Sequence, residues 1–108
     1  MNREEKTSIL NTACEKTLGK LKGKKMPYQS CNTYMVAFIG SADTICLRLP
    51  MEQFCTISGL DKAERPVEHN TVMKDFVIVP EEIITKENAL DMLLQAAIEH
   101  TNSLKPKK

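Results

Sequence analysis

The chain is expected to be a single α+β domain of two layers, with helices packed on one antiparallel sheet, and three stretches carry that expectation. The first is residues 75–80, where alternation sends Phe76 and Ile78 to one sheet face and Val77 and Val79 to the other. Both faces are apolar, so an interior strand covered on at least part of each side is expected. Pro80 ends it, because proline has no N–H to give a ladder. The second is the segment after Thr85, where Leu90, Leu93, Leu94, Ala97 and Ile98 recur at the spacing of a helix that lays one stripe on a sheet. The third is a pair of alternating runs, residues 32–39 and 44–49, joined by the turn residues Gly40, Ser41, Ala42 and Asp43 as a hairpin.

Taken in order, residues 4–21 form the first helix, with Leu10, Ala13, Cys14, Thr17, Leu18 and Leu21 facing inward and Gly23 as the stop. Pro27 suits the start of an edge strand. In the hairpin, Tyr34, Val36 and Phe38 share one face and Met35, Ala37 and Ile39 the other. Ile45, Leu47 and Leu49 point to the core, which leaves Arg48 on the more open side of the sheet. Pro50 opens a short helix closed by Gly59, with Phe54 and Ile57 inward. A polar loop then leads to a short edge strand near residues 65–68 and a turn at Asn70 and Thr71. The expected domain spans residues 1–104, with residues 105–108 as a basic tail.

Composition narrows the function. A chain of 108 residues holds one modest core. Its longest apolar run, residues 35–39, is far short of the roughly 20 residues of a membrane-spanning helix. The start is polar and lacks the apolar stretch of a signal peptide, so a cytoplasmic protein with no membrane partner is expected. The formal net charge is +1, which gives no global field toward nucleic acid. Locally, however, Lys16, Lys20, Lys22, Lys24 and Lys25 crowd one stretch. They read as a solvated helix end or, alternatively, as a surface for sequence-indifferent nucleic-acid binding.

No nucleophile elbow, phosphate-binding loop, dinucleotide fingerprint or zinc-protease motif occurs. Cys14, Cys31, Cys46 and Cys55 are widely spread, with no zinc-ligand spacing, so neither metal nor cofactor is expected. Cys31, with Lys24 and Lys25 just before it, is a candidate redox thiol, since nearby positive charge favours the thiolate. His69 and His100 are explained by a turn and by a helix C-terminus. Glu81 and Glu82, neighbours that share no helix face, read as charges near a helix N-terminus.

Several phrases in order resemble the TfoX (Sxy) N-terminal domain family: Lys24-Lys25-Met26, then Ile45-Cys46-Leu47-Arg48-Leu49, then Arg65-Pro66, then residues 73–80 as MKDFVIVP, and the ending SLKPKK. The chain departs from that pattern where family members carry an aromatic and two glycines after the methionine, for here stand Pro27, Tyr28 and Gln29. The resemblance implies the order α-β(3)-α-β(2)-α, a secretion-chaperone-like sheet, a stand-alone form and a link to transcriptional regulation without enzymatic activity.

The function expected from all this is a non-enzymatic regulatory or protein-interaction domain, with a protein partner or a second copy meeting Tyr34, Val36 and Phe38 on an uncovered part of the sheet. A small-molecule site is the remaining alternative, formed where Met26, Arg48, Met73 and Lys74 converge, with Arg48 offering a bidentate anion contact or else standing as an exposed strand arginine paired with a neighbouring glutamate.

Overall fold

The computed structural model describes residues 1–106; the lysines at 107 and 108, half of the expected basic tail, lie outside the described residues. The elements are α1 (Arg3–Glu15), β1 (Tyr28–Cys31), β2 (Tyr34–Ile39), β3 (Ile45–Arg48), α2 (Met51–Ser58), β4 (Val67–Glu68), β5 (Thr71–Val72), β6 (Phe76–Val79), α3 (Glu81–Ile84) and α4 (Ala89–Asn102). The main sheet has the order β1-β2-β3-β6 and every pairing in it is antiparallel, while β4 and β5 form a separate hairpin. The α+β class and the layered arrangement are as expected.

All helices contribute to the core on one sheet face. Leu10, Cys14, Phe54, Ile83, Leu93 and Ala97 meet Ile39, Ile45, Leu47 and Val77 there, and all are fully buried. The opposite face carries a smaller cluster of Phe38, Cys46 and Phe76, with Met26, Tyr28, Met35, Met73 and Ile78 around it. Phe38 and Phe76 meet edge to face, their centroids 5.1 Å apart, an arrangement the ring quadrupoles favour.

Four expectations are corrected. α1 ends at Glu15 rather than Leu21, because the Cys14 carbonyl accepts from the N–H groups of Thr17, Leu18 and Gly19, and Gly19 takes the left-handed φ of +103°. Leu18 and Leu21 still pack on the core, but from a loop. β6 is an edge strand, not an interior one. Its double apolar pattern reports that both faces are covered, and its outer edge is partly occupied by the Ile78 N–H donating to the Glu64 carbonyl at 2.8 Å. The expected patch of Tyr34, Val36 and Phe38 is not an exposed surface. Gln29 pairs with Ala37 and Ser30 with Met35, so Val36 is the extra residue of a bulge. The bulge turns Val36 into the helix-side core while Phe38 is buried on the other face. Finally, β2 starts two residues later than expected, because Asn32 and Thr33, at φ of +52° and +68°, form a two-residue hairpin turn whose twist matches the flanking strands.

Candidate functional site: an arginine-centred cavity

Strand alternation decides where Arg48 goes. Ile45 and Leu47 point to the helices, so Cys46 and Arg48 point to the other face, and Arg48 stands opposite Phe76 across the β3–β6 pairing. Its guanidinium lies between two rings, 4.6 Å from the Phe76 centroid and 5.1 Å from that of Tyr34. Both distances are within reach of cation–π attraction. Arg48 Nε donates to the Met35 carbonyl at 2.8 Å. These contacts fix the plane of the guanidinium and leave its two Nη groups directed elsewhere.

Arg48 borders a cavity of about 310 Å³, whose other polar lining is Lys74, Asp75 and His100 and whose walls are Tyr34, Leu49, Pro50 and Leu104. Three devices hold that lining in place. Arg65 donates to the carbonyl of Lys74 and, at 3.4 Å, to that of Phe76, fixing the entry to β6. Asn32 Nδ2 donates to the carbonyls of Thr101 and Leu104 at 2.9 and 2.8 Å, closing the C-terminal end of α4 beside His100. The Tyr34 hydroxyl donates to the Lys105 carbonyl at 2.6 Å.

The electrostatics are one-sided. Arg48 and Lys74 are cationic, His100 adds ring nitrogens, and Asp75 is the single carboxylate in the lining. Asp75 Oδ2 lies 3.5 Å from Arg48 Nη1, longer than a charge-assisted hydrogen bond. The Asp75 side chain is 77% exposed while that of Arg48 is 12% exposed. Among the described residues, Lys74 Nζ and the His100 ring have no hydrogen bond or ion pair, and the one hydrogen bond from the Arg48 side chain is that to Met35. Donors therefore outnumber acceptors around this space, which suits an anion.

Of the residues singled out in the sequence, the cavity brings together Arg48 and Lys74. Met26 and Met73 sit in the neighbouring Phe38–Phe76 cluster instead. Lys24 and Lys25 are exposed in the loop between α1 and β1, where the Lys25 carbonyl accepts from Arg3 Nη2 at 2.7 Å. Within the lysine stretch, Lys16 is engaged by Asp91 at 2.8 Å, and Lys20 and Lys22 are exposed on the same loop. Burial raises the Cys31 thiol, opposite to the shift a thiolate sensor needs, and pushes Cys14 and Cys46 up to about 11. Tyr34 was singled out only as part of an apolar patch, and Asp75 and His100 were missed as site residues; the strand pairing that sets Arg48 opposite Phe76, one residue after Asp75, is seen only in the fold.

A larger groove of about 740 Å³ runs between α2 and loop 60–64, but its rim mixes Asp61, Glu64 and Glu82 with Lys62 and offers no cluster of fixed donors. Among the described residues, no group of three or more His, Cys, Asp or Glu side chains could hold a metal ion, and no helix is long and apolar enough to cross a membrane. Scans of the chain against protein-family models, curated proteins and solved structures find no match.

Proposed function

We propose that the chain is a non-enzymatic regulatory binding domain that recognises an anionic group in the Arg48 cavity. The observation that carries this reading is the fixed guanidinium. Arg48 is held by two rings and a carbonyl, and it borders one cavity with Lys74 and His100, whose side chains have no partner among the described residues. Preorganised donors lose little freedom on binding, so they favour a charged ligand more than mobile surface lysines do. The TfoX-like phrases support a regulatory role beside transcription. A protein partner fits this reading if it presents the anion. The case for a second copy is weaker, because Val36 and Phe38 of the expected apolar patch are buried.

Titration of ¹⁵N-labelled protein with inorganic phosphate tests the proposal. The Arg48 Nε–H signal and the amides of Lys74, Asp75 and Leu104 are expected to shift together and saturate. The competing nucleic-acid reading rests on the exposed Lys20, Lys22, Lys24 and Lys25. It would gain if a DNA duplex shifted those residues instead and the effect fell steeply with salt.

A further inference from the structure

We infer that the cavity is built for a phosphate monoester and that Asp75 is its internal competitor, a reading that rests on the anion-binding proposal above. The Arg48–Asp75 pair is asymmetric. The arginine is nearly buried and locked between rings, whereas the aspartate is largely exposed and touches it at 3.5 Å. A carboxylate meant to hold the arginine would sit inside and form a bidentate pair at hydrogen-bond distance. Asp75 instead stands at the entrance, one residue before β6, where its side chain turns to solvent without disturbing the sheet.

Charge then selects the ligand class. With Asp75 in place, Arg48 and Lys74 contribute two positive charges against one negative. A monocarboxylate that displaced Asp75 would exchange one carboxylate for another and also lose its freedom of translation, so it gains little. A phosphate monoester carries about −1.5 to −2 at neutral pH and three acceptor oxygens. Once Asp75 has swung out, that charge matches the two cations, and the three oxygens suffice for Arg48, Lys74 and His100 together. The walls of Tyr34, Leu49, Pro50 and Leu104 leave room for the ester's carbon side.

Calorimetric titration of the whole chain with phenyl phosphate and with benzoate, in the native protein and in Asp75→Asn, Lys74→Ala and Arg48→Lys, tests this directly. Phenyl phosphate is expected to bind about tenfold tighter than benzoate, the effect of one additional charge at contact distance in a partly exposed site. Asp75→Asn is expected to tighten both ligands by about threefold or more, because the competitor and its like charge are gone. Lys74 is exposed, so Lys74→Ala leaves the fold intact, and it should remove most of the preference for the dianion. Arg48→Lys, with folding checked by its NMR spectrum, should abolish binding of both. Equal affinities for the two ligands, or an Asp75→Asn variant no tighter than the native chain, would overturn this inference while leaving anion binding standing. Binding of neither ligand to the native chain or to Asp75→Asn would remove both. A phosphoserine pentapeptide titrated beside phenyl phosphate identifies the source, a protein if the peptide binds tighter and a free metabolite if it does not.

Discussion

Asn32 shows how much one side chain can settle. It holds a left-handed turn position at φ +52°, which asparagine tolerates better than most residues, and it donates to two carbonyls at the end of α4. Asn32→Gly keeps the turn but removes both bonds, so chemical denaturation should show a loss of about 1–2 kcal/mol and faster amide exchange near Leu104. Gly59 isolates the opposite case. Its φ is +80° and an added Cβ would meet nothing within 4 Å, so Gly59→Ala tests backbone strain alone and should cost about 1 kcal/mol. The buried thiols set an alkaline limit. Cys14 and Cys46 titrate near 11 when folded against an ordinary value of 9.0, so the folded chain keeps protons that the unfolded chain has lost. Their contribution to stability is complete below pH 9 and declines as pH rises from 9 toward 11, which unfolding curves across that range would show. At this scale the sequence was partly readable: alternation placed Arg48 on the open face, but Asp75 and His100 come from other elements, and only the folded pairing brings them to it.

The elements were read best where periodicity is long. The stripe of α4 is visible in Leu90, Leu93, Leu94, Ala97 and Ile98, all of them buried. Boundaries set by side-chain caps were harder. Asn2 accepts from the Glu5 N–H and Glu5 reaches back to the Asn2 N–H, a capping box that starts α1 at Arg3, and its Asn-x-x-Glu spacing was there to be seen. The bulge at Val36 had no such mark, because alternation assumes one residue against one and the extra residue is settled only by the partner strand. The β4–β5 hairpin was legible only as a polar loop with a short strand. Its position depends on Glu68, which accepts from the Ser41 N–H and hydroxyl at 3.1 and 3.0 Å across the turn between β2 and β3. Gly40 permits that approach, since a Cβ there would stand 3.1 Å from Glu68 Oε2. Glu68→Ala should therefore cost about 1 kcal/mol and speed amide exchange at Ser41 and along the hairpin, with little change in α4.

Across the whole molecule, the sheet divides labour between its two faces. The helix side carries the main apolar core, and Leu93, fully buried at its centre, should cost about 3 kcal/mol when truncated to alanine, measured by denaturant midpoint. The other side carries the smaller aromatic and methionine cluster, and beside it Arg48 is stacked on Phe76 of that same cluster. The arginine is thus built on strands rather than on a loop, the placement that holds a binding group most rigidly. The candidate site was less legible than the fold because the cavity has no contiguous motif; its polar lining is drawn from β3, α4 and the approach to β6.

The most direct test of the central claim is a crystal of the native chain soaked in tungstate, a heavy stand-in for phosphate whose anomalous signal locates it without ambiguity. One strong site is expected within hydrogen-bond reach of Arg48 Nη1 or Nη2 and of Lys74 Nζ, with Asp75 turned outward to solvent. An empty cavity, with tungstate instead at the exposed lysines of the loop between α1 and β1, would contradict it.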